Sequence, residues 1–98
     1  MQVKEFQNKI VEFSRAWDKK RNVEYTEQLT LIHLVEELGE LAREYVNQEA
    51  RKDKFSPAEL DNAVGDALMQ LVKLAYLRGL DIEKLVIEII NEEQERLK

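Results

Sequence analysis

Phe6, Ile10, Phe13 and Trp17 stand three and four residues apart, and that step recurs through nearly the whole chain. A period near 3.6 gathers such residues on one face of a helix, which then needs another apolar surface to cover it. The first helix is expected over Val3 to Lys19; "KKRNVEYT" then breaks the period and reads as a connection. The second is expected over Thr26 to Glu49. Thr26 serves as its N-cap, and Leu31, Leu34, Val35, Leu38, Leu41, Ala42 and Tyr45 form a broad apolar face. "RKDKFSP" is a charged link ending in a start signal, with Ser56 to cap, Pro57 in the first helical position and Glu59 completing a capping box. The third helix runs from Ser56 or Pro57 to about Arg78. It carries Leu60, Val64, Leu68, Leu71, Val72 and Ala75, and Gly79 stands where the chain must leave it. Asp81 caps a fourth helix bearing Ile82, Leu85, Val86, Ile89 and Ile90.

The connections are short, so neighbouring helices should run antiparallel. The expected fold is an all-α, antiparallel four-helix bundle, with residues 1–98 as one domain. The apolar face of the last helix is wide for a small surface helix, which points to a partner subunit and hence a homodimer or homotetramer. There is no cysteine. That excludes a disulfide, a thiolate zinc site and a cysteine nucleophile, and it suits a reducing, cytoplasmic setting. "MQVKEFQNKIVEF" has no apolar run of the signal-peptide kind, and no stretch approaches the roughly 18 apolar residues of a membrane span. The formal net charge is −5, with no basic stripe against it, so a nucleic-acid polymer is not the expected partner. A small anionic substrate would need a cation or a local basic patch.

"HLVEELGEL" crowds Glu36, Glu37 and Glu40 among leucines. At about 100° per residue, Glu36 and Glu40 lie roughly 40° apart and Glu37 and Glu40 roughly 60° apart. "DNAVGDAL" on the next helix places Asn62 and Asp66 four residues apart, again on one face. Gly65 beside Asp66 costs about 1 kcal/mol of helix stability relative to alanine, which points to a close approach there. Glu40 lies roughly 15 Å before the end of its helix and Asp66 roughly 14 Å after the start of the next, so an antiparallel pair sets them at similar depth. Carboxylates meeting between helices repel and lose water, and both effects favour protonation unless a cation intervenes. Oxygen-only donors suit a hard ion such as Mg²⁺ or Mn²⁺. The plainer reading is an acidic face turned to solvent. A di-iron carboxylate site fits less well, because it wants Glu-x-x-His twice and His33 precedes Glu36.

"LVEELGELAREY" followed by "VGDALMQLVKLAYLRGLDIEKLV" resembles the MazG-type all-α nucleoside triphosphate pyrophosphohydrolases. Their pattern is E-E-x-x-E, a spacer, E-x-x-D, an apolar helix and a Gly-hydrophobic-Asp step. The resemblance implies Glu37 and Glu40 as metal ligands with Glu36 beside them, and Asp66 as the final aspartate. The glutamate expected three residues before Asp66 falls on Ala63, which has no donor; Asn62, one residue earlier, offers an amide oxygen instead. The resemblance further implies Mg²⁺-dependent hydrolysis of a nucleoside triphosphate to monophosphate and pyrophosphate. Glu36 or Glu37 would take the proton from water. Arg43 and Lys73 are candidate phosphate contacts, Trp17 a candidate base-stacking residue and Asn91 a candidate nucleotide contact. Two alternatives stand beside this reading: a nucleotide- or metal-binding relative impaired through Ala63, and a helical protein-interaction module whose acids are solvated.

Overall fold

The computed structural model describes residues 2–98. Four α-helices follow one another: α1 (Val3–Arg21), α2 (Glu27–Ala50), α3 (Pro57–Leu77) and α4 (Ile82–Leu97). A single 3-10 turn, Lys52–Lys54, sits in the link between α2 and α3. Among the described residues there is no strand, so the chain is all-α. No helix among them is long and apolar enough to cross a membrane.

Local chemistry fixes the helix ends. The first amides of a helix have no intrahelical acceptor, and a short polar side chain just before them supplies one. The Leu29 amide donates to Thr26 Oγ1 at 3.2 Å, the Glu59 amide to Ser56 Oγ at 3.2 Å, and the Lys84 amide to Asp81 Oδ1 at 3.1 Å. Gly79 closes α3 with φ +69°, a conformation that costs glycine nothing. Its amide donates to the Tyr76 carbonyl and the Leu80 amide to the Ala75 carbonyl, each at 2.9 Å, the paired bonds of a Schellman ending. Helix α1 runs to Arg21 and not to Lys19. Asn22 stops it in the left-handed region at φ 56°, and the Val23 amide returns to the Asp18 carbonyl at 2.9 Å. Asparagine tolerates that conformation better than other non-glycine residues, so the stop falls there.

The chain forms two compact units, Met1–Glu24 with Val72–Lys98, and Tyr25–Leu71; α3 runs through both. In the first unit the buried residues include Ile10, Val11 and Ser14 of α1 with Val72 and Lys73 of α3. Only Ile10 of the expected α1 stripe is buried; Phe6, Phe13 and Trp17 are exposed. Phe13 and Trp17 meet edge to face at 6.3 Å, and the cations of Lys20 and Arg21 lie 5.3 and 4.8 Å from the Trp17 ring centre. Helix α4 buries no residue in this chain.

The second unit is a helical hairpin of α2 and the first part of α3. Leu34, Ala63 and Ala67 are its buried apolar residues. Two alanines four residues apart give α3 a slim face, which favours close approach of the paired helix. Leu31, Val35, Leu38 and Tyr45 of the expected α2 face, and Val64, Leu68 and Leu71 of the expected α3 face, remain exposed.

Candidate functional site

The hairpin encloses a cleft of about 650 Å³. Helix α2 contributes Glu36, Glu40, Arg43 and Glu44 to its wall; α3 contributes Glu59, Asn62, Ala63 and Asp66. Steps of three and four residues set each row on one side of its helix. The acids of α2 and Asp66 of α3 thus share one concave surface.

Glu37 sits beside this row and is held differently. Its Oε1 pairs with His33 Nε2 at 3.0 Å one turn back, and the Tyr25 ring stacks on His33 at 5.7 Å. Only 14% of the Glu37 side chain is exposed. Its Oε2 is buried with no hydrogen-bond partner. Burial raises the Glu37 carboxyl above its usual 4.5, the negative charges of Glu40 and Asp66 raise it further, and His33 draws it back through charge and hydrogen bond. Glu37 therefore feels the charge of Glu40 on its own helix and of Asp66 on α3.

Glu44 was not among the residues singled out by the sequence. It is 6% exposed, one turn beyond Glu40. Asn47 Nδ2 donates to its Oε1 at 3.1 Å, and its Oε2 is buried without a partner. The signal was present as Glu36, Glu40 and Glu44, three acids at four-residue steps. What hid it was the apolar company of Ala42 and Tyr45.

The donor set fits a hard dication in its chemistry: it is all oxygen, mutually repelling, and includes two buried oxygens with no partner. As they stand, no three Asp, Glu or His side chains among the described residues converge closely enough to hold one ion.

The other expected site residues fall in several places. Arg43 lines the cleft with the acids. Lys73 belongs to the other compact unit, where it is buried and its ammonium meets Asp18 Oδ2 at 2.8 Å. Trp17 and Asn91 are in that unit too, and both are exposed. Gly65 does not mark a close approach within the chain: a Cβ added there would meet nothing within 4 Å. Its helical position simply leaves open space on that side.

The family model of the MazG nucleotide pyrophosphohydrolase domain matches residues 25–98. That stretch holds α2, α3 and α4, and so both rows that line the cleft; α1 lies outside it. No curated protein and no solved structure matches the chain. With the match extending over most of its length and across the acidic hairpin, the chain belongs to the MazG nucleotide pyrophosphohydrolase family.

Proposed function

We propose that this protein is a Mg²⁺-dependent nucleoside triphosphate pyrophosphohydrolase that releases monophosphate and pyrophosphate, with Mn²⁺ as a competent substitute. The family acts on nucleoside triphosphates and generally depends on a divalent metal. The observation that carries the proposal is the cleft that Glu40 of α2 and Asp66 of α3 both line, with Glu37 beside it, its carboxyl raised by burial and by the charges of those two acids.

Glu37, Glu40 and Asp66 would hold the ion, with the Asn62 amide oxygen as a weaker donor from the same cleft. The chemistry such a dication would supply when held there is positive charge for the phosphates and a lowered pKa for attacking water. The proton leaving that water needs an acceptor within reach. Glu37 Oε2 is one candidate, because it has no partner and its carboxyl is shifted toward neutral pH. Glu36, exposed on the cleft wall, is the other. His33 fixes the Glu37 side chain in either role, since it occupies Oε1 and leaves Oε2 open. Arg43 supplies a cation in the cleft for phosphate oxygens. Trp17, Lys73 and Asn91 remain proposed nucleotide contacts, Lys73 only if its pairing with Asp18 yields.

Incubation with canonical and modified triphosphates plus Mg²⁺ tests the reading, with pyrophosphate as the measured product. Release is expected from the wild type and not from Glu40→Gln. Equal release from both, or none from either, would count against it.

A second reading is favoured by Ala63, which is 5% exposed in the cleft wall and offers no ligand. On that reading the protein binds nucleotide without turnover. Calorimetry would then give tight binding with no pyrophosphate, and Ala63→Glu would restore hydrolysis.

The protein is further proposed to act as a cytoplasmic homodimer or homotetramer of a single domain over 1–98. Leu85, Val86, Ile87 and Ile89 of α4 are exposed, as are Leu31, Val35 and Leu38 of α2, and a second copy would cover such apolar rows. Light scattering gives the mass directly; a monomer at micromolar concentration would remove this part of the proposal.

A further inference from the structure

We propose that Glu44 supplies the carboxylate that Ala63 withholds, acting as a ligand from α2 for the divalent cation of the cleft. The inference rests on the metal-site reading above and deepens it.

Glu44 is 6% exposed, and a buried carboxylate is ordinarily paired with a cation or engaged by several donors. Here one oxygen is engaged by Asn47 and the other, also buried, by nothing. No basic side chain among the described residues forms an ion pair with it. The Asn47 contact holds the side chain by Oε1 and leaves the buried Oε2 without a partner, in a residue that lines the cleft. Glu44 follows Glu40 by one turn, about 6 Å along the helix and roughly 40° around it, so the two acids face the same space.

Ala63 belongs to the opposite wall of that cleft. A glutamate at 63 would send its carboxylate into the space that Glu44 borders. Alanine leaves that room to a carboxylate arriving from α2. A ligand lost from one helix is thus replaced from the other, and the cleft keeps its charge.

The test is Mn²⁺ binding to the full-length protein, read by calorimetry and by the free-ion signal in electron paramagnetic resonance. Glu44→Gln keeps an oxygen for Asn47 and removes the free carboxylate oxygen. It is expected to weaken Mn²⁺ binding by at least about tenfold, the scale on which even supporting residues of metal sites act. Ala63→Glu in the Glu44→Gln background is expected to return the Kd to within about threefold of wild type. Ala63→Glu alone is expected to gain no more than about threefold, because the position is already served. That variant leaves Glu44 in place, so it decides the matter should Glu44→Gln fail to fold. Unchanged binding in folded Glu44→Gln would overturn the proposal, as would a gain of about tenfold or more from Ala63→Glu alone. If the wild type binds Mn²⁺ and Glu40→Gln loses it while Glu44→Gln does not, only the role of Glu44 falls. If the wild type binds no Mn²⁺, the metal-site reading falls and takes this inference with it.

Discussion

Lys73→Met should destabilise the protein strongly, whatever it does to catalysis. Lys73 Nζ lies 2.8 Å from Asp18 Oδ2, and the two side chains are only 8% and 19% exposed. At that 2.8 Å separation and an effective dielectric of about 20, the gross attraction is about 6 kcal/mol. Most of it offsets the cost of taking both charges out of water, so the net value of the pair is small. Removing one partner is different, because the other charge then stays behind in a poor solvent. That penalty is about 3–5 kcal/mol for fully buried pairs. Asp18 retains some contact with water, so about 2–3 kcal/mol is the expected loss here. For a domain of this size each kcal/mol moves Tm by about 4–8 °C, which puts the fall near 10–20 °C. Methionine keeps the apolar stem of lysine in place, so the loss reports charge and not volume.

Thermal melts followed by circular dichroism measure it, at one protein concentration because assembly would make Tm concentration-dependent. Asp18→Asn combined with Lys73→Met removes both charges and should recover all but about 1 kcal/mol, the mark of a cycle whose members interact. A Tm within about 2 °C of wild type for Lys73→Met would refute the reasoning. So would a double variant as unstable as the sum of the singles. The same protein sample separates the two roles of Lys73: a phosphate contact without structural weight would raise KM and leave Tm alone.

Gly65→Ala should stabilise by about 0.5–1 kcal/mol, since the residue is mid-helix and an added Cβ meets nothing within 4 Å; a lower Tm would show that something approaches this face closely. Glu37→Gln should raise Tm at pH 7 in chelator. The folded carboxyl binds its proton more tightly than the unfolded one, so the stability this gives is present below the usual 4.5 and is lost as pH rises through the raised folded value. The gain from glutamine should therefore vanish in melts well below pH 4.5, and a gain that persists there would refute the assignment. Ser56→Ala should cost about 1 kcal/mol through the lost cap on the Glu59 amide, and Ser56→Asp should retain most of it; equal melts for the wild type and the alanine variant would show the cap idle.

The starts of α2, α3 and α4 were legible because each depends on one side chain and one amide nearby. Thr26, Ser56 and Asp81 cap as their positions imply, and Gly79 ends α3 for the same local reason. Asn22 carries an equally local signal for the end of α1, masked in the sequence by the break in apolar period that begins at Lys19. The 3-10 turn at Lys52–Lys54 had no such mark. Burial was less legible, because a period names a face and not what lies against it. Ile10 faces inward while Phe6 and Phe13, on the same expected stripe, do not.

The candidate site shows the same division. Helix geometry sets Glu36 and Glu40 on one face and Asp66 at similar depth, and all three line the cleft. Glu44 required more, because its meaning comes from the other helix. A glutamate between Ala42 and Tyr45 is unremarkable until a buried alanine stands in the opposite wall and one of its oxygens is seen to lack a partner. Ala63 read alone is a missing ligand. Ala63 and Glu44 read together are a cleft with a carboxylate on one wall where the other wall offers none. A motif scored along the chain counts donors helix by helix, whereas an ion counts them by position in space. The departure at residue 63 thus weakens the sequence pattern more than it weakens the electrostatics of the cleft, where Glu36, Glu40, Glu44, Glu59 and Asp66 still leave Arg43 far outnumbered.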